Sequence, residues 1–152
     1  MKAWAKCSGL PAGKWLFSRI VGWKAPYFAS ISPQFTDLKP GYCEVRIKKK
    51  RKVLNHIGTV HAIAMCNMAE LVAGTVTDAS IPKTHRWIPK GMQVDYLAKA
   101  ETDLRAMASL DLKDGLSGSA EMPVTVDVVD AANQRVASAT ITMWVTEKSP
   151  AA

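Results

Sequence analysis

Hydrophobic residues follow a helical period near the start of the chain. Large apolar side chains recur every three to four residues in this part of the sequence, at Trp15, Leu16, Ile20 and Trp23. This spacing is typical of an amphipathic helix whose apolar face packs on the rest of the protein. We therefore predict an N-terminal helical segment over residues 1–26, with Trp15 and Trp23 packed against a sheet.

Further along, apolar and polar residues alternate, which is typical of strands with one face in the core. Five such stretches are predicted: Cys43–Ile47, Met92–Ala98, Leu104–Leu112, Val124–Val128 and Ala137–Val145. In the first of them, Glu44 and Arg46 are expected to face water. Residues 114–121 contain two glycines and predict a turn or short loop, and residues 149–152 predict a frayed tail.

One stretch is apolar on all sides. Residues Val60–Thr77 are rich in alanine, methionine, valine, isoleucine and leucine, which is typical of a helix buried on most of its faces. A membrane-spanning helix is the competing interpretation. However, His61, Asn67 and Glu70 would each be costly in lipid, and interfacial aromatic anchors are missing from its flanks. We therefore predict a buried helix of a protein that does not span a membrane.

The order of these elements predicts the fold class. A helix, a strand, a long buried helix and four further strands favour an α+β protein with a curved antiparallel sheet around one helix. The chain has 152 residues, of which 48% are hydrophobic, so we predict a single domain over 1–152. Because a sheet covers only one side of such an apolar helix, a second copy of the chain is expected to cover the rest.

Much of the excess positive charge of the chain comes from one short run of residues. The formal net charge is +7, and residues 48–52 are all lysine or arginine. This basic run can protect a strand edge, bind the phosphates of a nucleotide-bearing ligand through Lys48, Lys50 and Lys52, or contact nucleic acid. No aromatic residue is interleaved for base stacking, which argues against nucleic acid.

The cysteines and the start of the chain bear on its compartment. Three cysteines cannot all pair, and neither C-x-x-C nor Cys/His ligand spacing occurs, so no disulfide framework, metal site or cofactor is predicted. Lys6, Gly9, Pro11 and Lys14 interrupt any apolar secretion signal. A reducing cytoplasm is the simplest prediction.

A short motif carries the candidate chemistry. Residues 55–62 read Asn-His-Ile-Gly-Thr-Val-His-Ala; Asn55 precedes His61 by six positions, and Glu70 follows His61 by nine. This pattern resembles the active-site segment of the hotdog-fold acyl-CoA thioesterases, and most closely the DUF4442 branch near the phenylacetate-pathway type. The resemblance implies a hotdog fold and hydrolysis of acyl-CoA at a dimer interface, in a homodimer or homotetramer. It gives catalytic roles to Glu70, Asn55 and His61, and substrate contacts to Gly58, Thr59 and Ala62. Apart from the resemblance, Lys90 is a weaker candidate for contact with the phosphates of coenzyme A.

Elementary chemistry supports roles for the same residues. N–H groups at a helix start, near Thr59 to Ala62, carry partial positive charge and can stabilise a developing oxyanion. Glu70 is the only carboxylate of the apolar stretch and can act as a base or nucleophile. Nine residues correspond to about two and a half turns of a helix, so His61 and Glu70 project from opposite sides of it. Two antiparallel copies of the helix would bring Glu70 of one near Asn55 of the other.

Other interpretations stay open at this point. His61 can simply cap the helix, Glu70 can be a structural acid, and Asn55 is a common turn residue. The thioesterases usually carry Gly-Gly after the histidine, where this chain has Ala62-Ile63. That departure favours the alternative of a hotdog protein that binds acyl-CoA or a fatty acyl chain without cleaving it.

Overall fold

The computed structural model describes residues 2–110, 112, 116 and 118–148, which form helices and one sheet. The helices are α1 (Lys2–Cys7), α2 (Gly13–Lys24), α3 (Pro26–Ala29) and α4 (Ala62–Ser80). The strands are β1 (Gln34–Lys39), β2 (Tyr42–Ile47), β3 (His85–Tyr96), β4 (Leu104–Ser109), β5 (Ala120–Val129) and β6 (Arg135–Glu147). Residues 114, 115 and 117 of the predicted turn over 114–121 lie outside the described residues, and its last two residues belong to β5. The predicted frayed tail over 149–152 lies wholly outside the described residues.

The six strands form one antiparallel sheet in the order β1-β2-β4-β5-β6-β3. Helix α4 contacts every one of them, so the sheet curves around the helix. This arrangement confirms the predicted α+β hotdog fold. The strand that follows α4 in sequence, β3, lies at one edge of the sheet, and β1 lies at the other.

Helix α4 forms the centre of the core, as its composition predicts. Met68, Val72 and Val76 are fully buried on it, and Phe35 and Ile141 are fully buried on the sheet. The helix ends at Ser80 because Pro82, two residues later, cannot continue the hydrogen-bond ladder. Within the described part of the chain, no helix is long and apolar enough to cross a membrane.

Strand β1 was not predicted from the sequence, and its bulge explains why. The strand register shifts between Phe35 and Asp37, so its two buried apolar residues, Phe35 and Leu38, are three positions apart instead of two. A bulge of this kind breaks the alternation by which strands are recognised. The sheet therefore has one strand more than the five that the alternating pattern predicts.

Helix α2 packs through a different face from the predicted one. Trp15 and Trp23 are 57% and 81% exposed, and the buried face instead carries Phe17 and Ser18. The Ser18 hydroxyl accepts a hydrogen bond from the Phe35 N–H at 2.9 Å, which ties the helix to β1. The prediction that the two tryptophans pack on the sheet was wrong because apolar residues occur on more than one face of this helix.

Glu44 is buried on β2 instead of facing water as predicted. Its carboxylate accepts hydrogen bonds from the Thr36 hydroxyl at 2.7 Å and the Tyr42 hydroxyl at 3.1 Å, and it pairs with Arg105 at 3.2 Å. Burial favours a higher pKa, but these hydrogen bonds and the charges of Arg105 and Arg46 outweigh it and hold the pKa of Glu44 below its ordinary value. Burial and the bond to Glu44 raise the pKa of Tyr42 to about 12, so this phenol remains a donor.

Glu44→Gln is expected to lower the free energy of unfolding at neutral pH by about 1–3 kcal/mol, because charged hydrogen bonds are lost. The pKa of Glu44 is lower in the folded than in the unfolded chain. Its contribution is therefore present above the unfolded value of about 4.3 and is lost as the pH falls through the folded value. Urea titration from pH 7 to pH 3 should show a flatter acid limb for the variant than for wild type. The exposed replacement Glu101→Gln is the control, and equal pH dependence of Glu44→Gln and wild type would contradict the assignment.

Candidate active site

The loop before α4 is built around the side chain of Asn55. Its Nδ2 donates to the Thr59 hydroxyl at 2.7 Å, while its Oδ1 accepts from the N–H groups of Ile57 and Thr59, each at 3.1 Å. The Asn55 N–H also donates to the Thr59 carbonyl at 2.9 Å, and Gly58 takes a positive φ of 81°. Asn55, for which a catalytic role is predicted, therefore uses its side-chain amide to shape the loop.

Asn55→Ala is expected to lower the free energy of unfolding by about 1–3 kcal/mol, because three hydrogen bonds are lost and the partly buried groups of the loop are left unpaired. Thermal or urea unfolding measures the change. The matched control is His56→Ala at the exposed neighbouring position, which should change stability by less than about 0.5 kcal/mol. Equal stability of the Asn55 variant and wild type would show that the loop does not depend on this amide.

The start of α4 leaves one backbone donor free among the described residues. His61 caps the helix, and its Nδ1 accepts from the Ile63 N–H at 3.0 Å. The Ala64 N–H donates to the His61 carbonyl at 2.9 Å, whereas the Ala62 N–H has no partner in the described part of the chain. The helix dipole adds positive charge at this position. Of the predicted stretch from Gly58 to Ala62, it is Ala62 that offers a free N–H to a carbonyl oxygen.

Glu70 lies on a face of α4 that the described residues leave partly uncovered. Ile63, Cys66 and Glu70 fall on this face, and the Glu70 carboxylate makes no hydrogen bond or ion pair with the residues that the structure describes. The Cys66 Sγ lies 3.1 Å from the Tyr96 hydroxyl on β3. This contact and burial raise the pKa of Tyr96 to about 12, so the phenol stays protonated at neutral pH.

Strand β3 borders this uncovered face. Met92 and Tyr96 pair with the buried residues Ile141 and Ala137 of β6, so they point to the side of the sheet that holds α4. They nevertheless remain 37% and 50% exposed. We call the surface formed by Ile63, Cys66, Glu70, Met92 and Tyr96 the α4–β3 face.

A cavity of about 350 Å³ lies beside the start of α4, between this helix, residues 27–31 and residues 52–54. His61, Ile63, Lys52 and Tyr27 line it, so the structure brings one residue of the basic run to the helix start. Asn67 also lines it and is 94% buried, and its Oδ1 has no partner among the described residues. Asn67 was not predicted as a site residue, although it is the only amide side chain in the apolar stretch Val60–Thr77 of the sequence.

Lys90 and the other lysines of the basic run lie elsewhere. Lys90 pairs with Glu121 and lies over the ring of Trp144, on the face of the sheet opposite α4. Lys48 is neutralised by Asp103 at 2.7 Å, and Lys50 is exposed. Within one chain, the structure therefore does not bring Lys90, Lys48 or Glu70 to the cavity at the helix start. Among the described residues, no cluster of histidine, cysteine and acidic side chains can hold a metal ion.

Comparisons with known proteins show which proteins the chain is similar to. The profile of a family called Domain of unknown function (DUF4442) matches residues 13–145. A structural-genomics target is similar with a TM-score of 0.84 and 52% identity, and 95% of each chain is covered. A Pseudomonas aeruginosa protein named a "probable thioesterase" has a TM-score of 0.78 and 25% identity, with 91% of this chain and 97% of that chain covered.

A thioesterase family protein from Silicibacter pomeroyi shares the fold, with a TM-score of 0.73 at 16% identity and coverage of 86% of this chain and 96% of that chain. The comparison with curated proteins finds no match.

Proposed function

The chain belongs to the DUF4442 family and has the hotdog fold, and from this premise we propose that it hydrolyses acyl thioesters. One observation carries the proposal. Among the residues that the structure describes, neither the Ala62 N–H at the start of α4 nor the Glu70 carboxylate on the uncovered face of the same helix has a partner. Several proteins of similar structure are named thioesterases, which supports the same class of reaction.

We propose that the active site forms between two copies of the chain. Strand β3 is a 12-residue edge strand with exposed apolar side chains at Ile88, Met92 and Tyr96. A long, apolar, unpaired edge promotes association with another strand. An antiparallel pair of β3 strands about a two-fold axis would continue the sheet and cover both α4–β3 faces. Pairing of such dimers into tetramers is compatible with this arrangement.

The position of Glu70 supports this interface. Near the start of α4, Cys66 contacts Tyr96 at the end of β3; further along α4, Gly74 lies against Trp87 near the start of β3. Helix and strand therefore run in opposite directions, and Glu70, midway between Cys66 and Gly74, faces the middle of β3. Ala62 and Glu70 lie about 12 Å apart along the helix, so a two-fold axis that passes between their levels would bring Glu70 toward the helix start of the second copy.

The proposed reaction needs only groups that the chain supplies. The Ala62 N–H polarises the thioester carbonyl, and Glu70 takes a proton from a water molecule that attacks the carbonyl carbon. The carbon–sulfur bond then breaks, the proton passes to the leaving thiolate, and a carboxylic acid and a thiol are released. Direct attack by Glu70, followed by hydrolysis of the anhydride, gives the same products.

We propose acyl-CoA as the substrate, in the cytoplasm. The cavity at the helix start has apolar walls for an acyl chain, including Ile63 and Val53, and Lys52 supplies one positive charge. The experiment supplies purified protein with acyl-CoAs of several chain lengths and follows thiol release with a chromogenic reagent. Thiol release well above the blank is the expected result.

The alternative is a hotdog protein that binds the thioester without cleaving it. The exposed side chain of Ile63, which is 55% accessible beside the Ala62 N–H, favours this alternative because it can crowd a tetrahedral intermediate. Tight binding of acyl-CoA with no thiol release for any chain length would select it and reject the enzyme.

A further inference from the structure

A second cavity, of about 630 Å³, lies at the opposite end of α4, where the helix ends and β3 begins. Three cationic residues line it, namely Lys83, Arg86 and Lys148, together with one acid, Asp78. Its volume falls within the range of about 300–1,000 Å³ that is usual for small-molecule sites. Among the sites assigned so far, none involves this part of the molecule.

The three cations lack carboxylate partners in the described part of the chain. The Lys148 Nζ donates to the Lys83 carbonyl at 2.7 Å, and the Arg86 Nε donates to the Thr146 hydroxyl at 3.3 Å. By contrast, Lys48 and Lys90 are each paired with a carboxylate. The terminal nitrogens of Arg86 and the ammonium of Lys83 are therefore available to an anion. A guanidinium beside ammonium groups matches the geometry and charge of phosphate.

Two further features of the walls point to a ligand. His85 is 95% buried, its Nδ1 lies 3.0 Å from the Thr84 hydroxyl, and its Nε2 has no partner among the described residues. An unpaired buried polar atom is costly, which is consistent with a partner that binds from outside the chain. Trp87 and Pro82 give the same cavity an apolar wall on which a planar base can lie.

We propose that this cavity binds the phosphate groups and base of a nucleotide-bearing acyl thioester, with Lys83 and Arg86 as the principal phosphate ligands. The inference rests on the proposed function and specifies the part of the substrate that the catalytic groups do not touch. It moves the phosphate contacts away from the basic run of residues 48–52, where Lys48 is already neutralised.

The location of the cavity fits the proposed dimer. When two β3 strands pair antiparallel, the start of one lies beside the end of the other. The cavity at Arg86 and Trp87 of one copy would then adjoin the α4–β3 face of the second copy near Tyr96. A nucleotide held there could extend its thioester arm along the interface toward Glu70.

The test compares one acyl group on two thiols, coenzyme A and N-acetylcysteamine, which has no phosphate. In Lys83→Ala/Arg86→Ala, kcat/KM for the acyl-CoA should fall by about tenfold or more because KM rises. A tenfold change corresponds to the loss of about 1.4 kcal/mol of binding free energy. The value for the N-acetylcysteamine thioester should stay unchanged. The control Arg19→Ala/Lys24→Ala removes the same charge from exposed positions of α2 and should leave both values unchanged. An unchanged KM for acyl-CoA, or equal loss with both substrates, would overturn the proposal.

A binding measurement separates this inference from the proposed function. Calorimetry with adenosine 3′,5′-bisphosphate requires no turnover and should show binding by wild type that weakens with salt and is lost in the double variant. The conservative Lys83→Arg/Arg86→Lys should retain it, which excludes misfolding as the cause of the loss. Binding without any thioesterase activity would reject the proposed function and support the cavity. No binding by wild type would overturn the cavity assignment even if thioesters are hydrolysed.

Discussion

Replacement of Glu70 by glutamine is expected to lower kcat for acyl thioester hydrolysis by about 10²–10⁴-fold, the usual contribution of a general base. Glutamine has nearly the same shape but cannot accept the proton from water or attack as a carboxylate. Because Glu70 has no partner among the described residues, its replacement should leave stability nearly unchanged. Thiol release under saturating substrate, together with a thermal melt of both proteins, measures the two effects.

Asp127→Asn is the matched control for this change. Asp127 pairs with Arg135 at 3.3 Å on the opposite face of the sheet, and both side chains are at least half exposed. Asp127→Asn replaces a carboxylate by an amide, as Glu70→Gln does, but at a position away from α4. The value of kcat should therefore not change. Equal rates for wild type and Glu70→Gln would remove Glu70 from the mechanism, whatever the activity of the protein.

The substitution Met92→Asp is expected to convert the proposed dimer into monomers and to abolish most of the thioesterase activity. Met92 lies on the α4–β3 face of β3, which the proposed pairing of strands covers, so the variant places a new carboxylate of each copy in the interface. Like charges at such a position and the loss of apolar contact together should weaken dimerisation by about 10²-fold or more. Light scattering across a dilution series measures the molecular mass, and kcat/KM should fall with the dimer fraction.

Thr125→Asp controls for the added charge. Thr125 is exposed on β5 and points away from α4, so the same new carboxylate should leave the dimer and its activity intact. A Met92→Asp protein that is monomeric yet fully active would show that one chain contains the whole site. A wild-type protein that is monomeric at micromolar concentration would contradict the proposed interface directly.

The sequence was sufficient for the centre of the fold. Helix α4 was predictable because its residues are apolar around the whole helix, and only burial by a surrounding sheet accommodates such a helix in water. The strands after it were predictable because one face of each lies on α4 and the other is polar. Val124, Val126 and Val128 of β5 are all buried, as their alternation indicates.

The edges of the fold were less predictable for identifiable reasons. The bulge in β1 interrupts the alternation of apolar and polar residues by which a strand is recognised. Helix α2 has apolar residues on both its exposed and its packed faces. Hydropathy alone cannot tell which face of α2 packs on the core. The packed face is the one that carries Phe17, whose ring centroid lies 5.1 Å from those of Trp4 and Phe35. Glu44 was predicted to face water because its partner, Arg105, lies 61 residues away in sequence.

The local structure around the motif was predictable in part, whereas the roles of its residues stay predictions. The motif located the loop and the helix start, but not the hydrogen bonds that occupy the amide of Asn55 and leave the Ala62 N–H without a partner among the described residues. Those bonds depend on the local turn, in which Gly58 takes a positive φ. The cavity at Lys83 and Arg86 is lined by residues of the segment 78–87 and by Lys148, which follows β6. Its shape depends on how the chain turns from α4 into β3, for which the sequence carries no motif.

The most direct test of the account is recovery of activity in mixed dimers. Glu70→Gln removes the base and Asn55→Ala removes the hydrogen bonds that shape the loop before α4, so we expect each variant to be poorly active alone. The two chains are unfolded together at equal amounts, refolded and assayed for thiol release. If Glu70 of one copy acts with the helix start of the other, half of the dimers are mixed and carry one intact site, so activity should reach about a quarter of wild type. Activity no higher than the average of the two separate variants would contradict a site shared between two chains.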